Sequence, residues 1–217
     1  MRSIRAIVFD FNGTLSADEH LLSGIFQELF AKHGRPLSAQ EYFDELAGLT
    51  DPEIVRNWLG PDHPDVEAVI EQRVARYQAA VADGSTVHQP VRAAVRYAAE
   101  RVPLAVVSGS TRAEIEPVLA AAGLSELVQV IVSSDDVAEG KPSPEGYLRA
   151  LHLLDAGLKA EEVVVFEDTE SGVAAAKAAG MLCVAVLGTV APERLAGADE
   201  IVDALEPAVL HRLLAGT

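Results

Sequence analysis

The stretch Ile7-Val8-Phe9-Asp10-Phe11-Asn12-Gly13-Thr14-Leu15 decides the fold. Three consecutive apolar residues, Ile7 to Phe9, predict the end of a buried strand. The Asn12-Gly13 pair behind them predicts a turn. In an open α/β sheet, ligands bind at the carboxyl ends of strands. Asp10 is therefore expected where a buried strand opens on a crevice. Gly13 permits close approach of the backbone to a ligand, and Thr14 adds a hydroxyl. A solvated aspartate at an ordinary strand-to-loop junction would look the same on this stretch alone, so its partners elsewhere in the chain decide the reading.

The chain has 217 residues, of which 49% are hydrophobic, enough for a sizeable core in one domain or two unequal ones. No apolar run is long enough to span a bilayer. The segment Met1 to Arg5 passes straight into a strand and does not read as a signal peptide. Cys183 is the single cysteine, which excludes an internal disulfide and fits a reducing cytoplasm. Lying in the apolar run Met181 to Leu187, it reads as a small buried hydrophobe. The net charge of −16 argues against nucleic acid or an anionic membrane as partner. A phosphate ligand remains compatible if one pocket is locally positive. A monomer or a homodimer is expected.

From Ser16 the pattern turns helical. Leu21, Leu22, Ile25, Phe26, Leu29 and Phe30 share one face of a first helix. Ser38 with Glu41, and Thr50 with Glu53, form capping boxes for two more, the latter with Pro52 in its first turn. Val66, Ile70, Val74, Tyr77 and Val81 mark a fourth. No strand interrupts residues 16 to 82, so a helical insertion follows a single strand, with Asp83-Gly84-Ser85 as the return hinge. Strands and helices then alternate. The strands are 103–107, 128–132, 163–166, 182–187 and 200–202; the helices are 91–100, 112–122, 144–154, 172–179 and 207–214. Alternation of this kind predicts a mostly parallel sheet wrapped by helices.

Three further strand ends carry polar chemistry. Val107-Ser108-Gly109-Ser110-Thr111 precedes a helix, where hydroxyls and free backbone N–H groups make an anion site, though a plain helix cap has the same composition. Lys141 sits in Gly140-Lys141-Pro142-Ser143-Pro144, a stiff loop that gives the ammonium a defined direction; only four lysines are present. Glu167 and Asp168 follow a buried strand as adjacent carboxylates, costly to desolvate without a cation. With Asp10 they offer the hard oxygen ligands that Mg²⁺ prefers.

These four segments, in this order, resemble the haloacid dehalogenase-like (HAD) superfamily. The resemblance is to its subgroup with a helical cap inserted after the first motif, which includes phosphoglycolate phosphatases and beta-phosphoglucomutases. Gly48-Leu49-Thr50 resembles the cap loop, and the run from Ala174 to Met181 the segment after the last motif. The resemblance spans essentially the whole chain. It implies a Rossmann-like α/β core over residues 1–15 and 85–217 and an all-helical cap over 16–84. It also implies an aspartyl-phosphate formed on Asp10 during hydrolysis of a small phosphorylated metabolite. Mg²⁺ would be held by Asp10, the main-chain carbonyl of Asn12 and Asp168, with Glu167 acting through water. Ser108, Lys141 and the backbone N–H groups around Asn12, Gly13 and Gly109 would hold the phosphoryl oxygens, and Lys141 would pair with Asp10.

One position departs from the family pattern. Its phosphatases carry D-x-D-G-T, and the second aspartate protonates the leaving group and then activates water. Here that residue is Asn12, which can orient by hydrogen bonds but cannot exchange a proton at neutral pH. General acid–base catalysis contributes roughly 10²–10⁴-fold, so the acid/base step is expected to be altered. Four readings follow. The acid/base of a phosphatase comes from water, the substrate or the cap; the scaffold runs another reaction; the protein binds phosphate ligands without turnover; or Asn12 is a substitution introduced to trap a complex. Against another reaction, Lys32 is the one cap lysine, its surroundings do not resemble those of the Schiff-base enzymes of the family, and the Glu167–Asp168 pair argues against metal-free dehalogenation. The family's mutases carry a cap-hinge histidine where this chain has Leu22. His33, Arg35, Thr50 and Arg56 are the polar cap residues expected nearest a substrate.

Overall fold

The computed structural model describes residues 3–155 and 157–215. Its centre is a six-stranded sheet in the order β3-β2-β1-β4-β5-β6, every pairing parallel. The strands are β1 (Ala6–Phe9), β2 (Leu104–Val107), β3 (Val130–Val132), β4 (Val163–Glu167), β5 (Leu182–Val186) and β6 (Glu200–Val202). Strand order reverses direction between β1 and β4, which makes the sheet Rossmann-like and opens a crevice beyond the carboxyl ends of those two strands.

Alternation along each strand sorts the core into two layers. Ile7, Phe9, Leu104, Val106, Val164 and Phe166 point to one face; Ala6, Val8, Ala105, Val107, Val163 and Val165 point to the other. The Phe9 and Phe166 rings stack at 5.4 Å between the paired central strands. Cys183 lies fully buried in the second layer, and burial pushes its thiol up, in keeping with a packing role. Helices α5 (Gln89–Ala99), α6 (Arg112–Ala121), α7 (Glu145–Leu154), α8 (Glu170–Ala178) and α9 (Pro207–Leu214) are the helices of the α/β half, and the expected element ends shift by at most two residues. Pro117 lies inside α6, and nothing in the structure explains it.

Between β1 and α5 every described element is helical, apart from an isolated bridge between Asn12 and Ser16 at the turn. These are α1 (Glu19–Lys32), the three-residue α2 (Ala39–Glu41) running into a wide turn at Tyr42–Leu46, α3 (Asp51–Leu59) and α4 (Val66–Val81). Both expected capping boxes form, Ser38 with Glu41 and Thr50 with Glu53. Gly84 takes φ +67°, and a Cβ there would stand 2.8 Å from the backbone nitrogen of Ala122, so the return hinge needs glycine.

The buried stripe of α4 differs from the one expected. Val66, Val69, Arg73, Tyr77 and Val81 face inward, while Ile70 and Val74 are half-buried and line a cavity. The stripe turns because Arg73 is drawn inside by two carboxylates, Asp51 of α3 and Glu114 of α6. A charged residue at helical spacing is not readable as core from sequence; its partners lie 22 and 41 residues away.

Candidate active site

Asp10, Ser108 and Glu167–Asp168 sit at the ends of β1, β2 and β4, and Lys141 comes from the loop that follows β3. Asp10 follows β1 directly, and its backbone N–H donates to Phe166 O at 2.9 Å, which ties the start of the loop to β4. The chain then folds on itself, with Leu15 N and Ser16 N both donating to Phe11 O. Gly13 sits in this turn at φ +76°, and a Cβ there would lie 1.9 Å from Asp168 Oδ2. Any side chain would therefore displace the carboxylate that follows β4.

Lys141 is the electrostatic centre. Its Nζ donates to Asp10 Oδ1 and Glu167 Oε1, and to the carbonyl of Val107 at 3.2 Å. Glu167 is fully buried with both oxygens engaged. Oε1 also accepts from the Tyr147 hydroxyl at 2.7 Å, while Oε2 accepts from Asp168 N, Thr169 N and Thr169 Oγ1 at 3.0, 3.3 and 3.1 Å. Glu167 thus anchors the lysine and shapes the loop. Burial pushes the Asp10 carboxyl up to about 7, against the pull of Lys141 and with Glu167 adding to the rise. For Lys141 burial works against the charge, but Asp10 and Glu167 outweigh it and raise the ammonium's pKa.

Asp168 accepts from the Thr14 hydroxyl at 3.2 Å through Oδ1, while its buried Oδ2 has no hydrogen-bond partner. Burial, then Asp10 and Glu167, push this carboxyl well above the usual range. Asp10, Glu167 and Asp168 offer oxygen atoms that all lie within 4.8 Å of one another. An orphaned, buried carboxylate oxygen inside a cluster of hard ligands fits Mg²⁺ by donor chemistry, since such a cluster is costly without a cation.

Asn12 is fixed from both ends. Its Nδ2 donates to Asp18 Oδ2 at 3.1 Å and to the Tyr77 hydroxyl at 3.3 Å, and its Oδ1 accepts from Ser110 Oγ at 2.7 Å. Tyr77 also donates to Asp18 at 2.6 Å. Burial lifts the Asp18 carboxyl to about 6, with the hydrogen bonds opposing. Asp18, Tyr77 and Ser110 were outside the expected set. Ser110 lies inside the second motif, but the other two meet Asn12 only through folding, Tyr77 from 65 residues away.

Two cavities open on these groups. The smaller, about 80 Å³, is lined by Asp10, Asn12, Ser108, Gly109, Lys141 and Asp168, together with Glu19, Tyr42 and other residues of the helical segment. The larger, about 320 Å³, shares Thr50, Asp51, Arg73, Ser108, Gly109 and Lys141 with it and runs over Val107, Val132 and Tyr147. Gly13 and Glu167 lie behind the walls. Of the polar residues expected nearest a substrate, Thr50 lines both cavities; His33, Arg35 and Arg56 line neither. His33 stands 3.9 Å from Asp65 instead.

Known proteins are similar to this chain in sequence and fold. A protein named validoxylamine A 7'-phosphate phosphatase, from Streptomyces hygroscopicus subsp. limoneus, is 32% identical over 90% of this chain and 91% of its own length. The crystal structure of CbbY from Rhodobacter sphaeroides in complex with phosphate superposes with a TM-score of 0.82 at 30% identity, covering 93% of this chain and 95% of that one. A mutant of CbbY in complex with xylulose-(1,5)bisphosphate has the same TM-score and coverage at 32% identity. The sequence model described as haloacid dehalogenase-like hydrolase matches residues 7–186, from the first strand through the fifth. With the Rossmann-like sheet and all four motifs at its strand ends, the chain belongs to the haloacid dehalogenase-like hydrolase family.

Proposed function

We propose that this hydrolase is a Mg²⁺-dependent phosphatase of a small phosphorylated metabolite, with Asp10 as nucleophile. The observation that carries the reading is Lys141 held between Asp10 and Glu167, beside the orphaned oxygen of Asp168. That grouping aligns a carboxylate with a cation where a phosphoryl group would sit, and phosphoryl transfer needs mainly alignment and charge neutralisation. The chemistry of the relatives supports it: one is named for a phosphate ester, and neighbours hold phosphate and a sugar bisphosphate.

In this reading Asp10, the main-chain carbonyl of Asn12 and Asp168 hold the metal, and Glu167 secures Lys141 and the loop after β4. The metal would supply Lewis-acid neutralisation of the phosphoryl oxygens. Ser108, Lys141 and the N–H groups near Gly13 and Gly109 bind those oxygens. Asn12, whose amide hydrogens go to Asp18 and Tyr77, exchanges no proton with the leaving oxygen. Residues 1–15 and 85–217 form the catalytic core and residues 16–84 a cap that covers Asp10. No helix among the described residues is long and apolar enough to cross a membrane, and we read the protein as a cytoplasmic monomer or homodimer.

The test is a panel of phosphate esters with and without Mg²⁺, run on wild type and Asp10→Asn. Metal-dependent phosphate release by wild type and none by the variant is expected. Tight phosphate binding with no release by either protein would favour a non-catalytic binder, the reading that the loss of a carboxyl at position 12 leaves open.

A further inference from the structure

The carboxylates lining the smaller cavity differ in what holds them. Asp10 is paired with Lys141, Asp51 with Arg73, and Asp168 belongs to the metal-binding cluster. Glu19, the first residue of α1, forms no ion pair among the described residues; its Oε2 accepts from the Tyr42 hydroxyl at 3.3 Å. No histidine lines this cavity. Asp18 is the carboxylate nearest Asn12, but it is fully buried behind it, with Oδ2 accepting from Asn12 and Tyr77 and Oδ1 unpartnered, and it is absent from the cavity wall. One carboxyl therefore faces the reacting space without another task.

We propose that Glu19 is the general acid and base of the reaction, taking over the proton transfers that Asn12 cannot perform. This rests on the phosphatase reading above. In the first step the Asp10 carboxylate forms a bond to phosphorus as the ester P–O bond breaks, and the Glu19 carboxyl gives its proton to the departing oxygen. In the second, water attacks the phosphorus of the aspartyl-phosphate, Glu19 carboxylate takes the proton from that water, and the acyl-phosphate bond breaks. Phosphate leaves, with Asp10 ionised and Glu19 protonated again. Burial, then the Asp18 and Asp10 charges, push the Glu19 carboxyl up to about 8, opposed by the Tyr42 hydrogen bond and the Arg73 charge. Asp168 also faces it. This shift favours the protonated carboxyl, the form a general acid needs. The sequence hid this role because an acid in the first turn of a helix is ordinary dipole compensation.

The test uses aryl phosphates whose phenols span weak to strong leaving ability, from phenyl phosphate to 2,4-dinitrophenyl phosphate. Wild type, Glu19→Gln and the double variant Asn12→Asp/Glu19→Gln are compared with Mg²⁺ present, with near-ultraviolet circular dichroism to verify folding. Glu19→Gln should lose roughly 10²–10⁴-fold in turnover of phenyl phosphate. With the dinitrophenyl ester it should still be phosphorylated quickly and then stall, giving a burst of one equivalent. Its alkaline activity limb should vanish, and Asn12→Asp in the same chain should restore turnover of phenyl phosphate. Unchanged leaving-group dependence and no burst in folded Glu19→Gln would overturn the assignment, as would a change in KM alone. A wild type that releases phosphate from no ester and is never phosphorylated would overturn the phosphatase reading itself, and the assignment with it.

Discussion

Asn12 donates its side-chain Nδ2 to Asp18 Oδ2 at 3.1 Å, so the residue that departs from the family pattern faces a buried carboxylate. An aspartate at position 12 would set two carboxylates against each other there. The Asp18 carboxyl stands at about 6 in the folded chain against an ordinary 3.8, so its ionisation already disfavours the fold as pH rises between those values. Asn12→Asp should therefore be near wild type in stability at pH 4, where the pair is protonated. Its deficit should grow to roughly 1–3 kcal/mol above pH 7, where repulsion replaces the hydrogen bond. Urea melts of both proteins across this range, with Asp18→Asn added to relieve the variant, check the sign. A deficit that does not change with pH would contradict the pairing.

Lys141 neutralises two buried carboxylates at once. Lys141→Met should cost about 3–5 kcal/mol of unfolding free energy, because Asp10 and Glu167 are left unpaired. Adding Glu167→Gln should return part of that stability and none of the activity. Denaturant melts beside steady-state assays separate the two effects.

Asp168 should divide metal affinity from metal-free stability. Asp168→Asn removes one of three clustered carboxylates, so its metal-free melting temperature should rise by about 2–4 °C, equivalent to about 1 kcal/mol for a chain of this size. Calorimetric titration should at the same time lose the single Mg²⁺ site of wild type. A variant that binds Mg²⁺ like wild type would contradict the ligand assignment.

Much of the fold and part of the site were legible before folding was considered. Ile7 to Phe9, Leu104 to Val107 and Val163 to Phe166 are apolar because both faces of a parallel sheet are covered, and the polar residue that follows each run marks a strand end. Turns and capping boxes such as Thr111 with Glu114 act within four residues, so local spacing reveals them. The failures are contacts made at a distance. Tyr77 read as an ordinary apolar stripe member, yet its hydroxyl reaches Asp18 across 59 residues. Arg73 gave no signal in the sequence, because nothing nearby announces Asp51 and Glu114 as its partners. Glu19 was lost among helix-start acids.

The charges of the cavity walls bear on the substrate. Arg73 and Lys141 are the cations lining the two cavities, and each is already held by two carboxylates; Glu139 adds further negative charge. A second anionic group on the substrate would have no free cation to meet. Monophosphates of neutral or amino-bearing polyols should therefore exceed the matching bisphosphates by at least about tenfold in kcat/KM, the size of one unmade charge contact near 1.4 kcal/mol. Asp51→Asn, which frees one side of Arg73, should narrow the gap. Bisphosphates turned over as well as monophosphates would contradict this selection.

The most direct measurement is the mass of the acid-quenched protein, taken milliseconds after mixing with 2,4-dinitrophenyl phosphate and Mg²⁺, followed by peptide mapping. The account predicts one phosphoryl group per chain, located on Asp10, transient in wild type and persistent in Glu19→Gln. Phosphate release by wild type with no phosphorylated Asp10 at any time in either protein would contradict it.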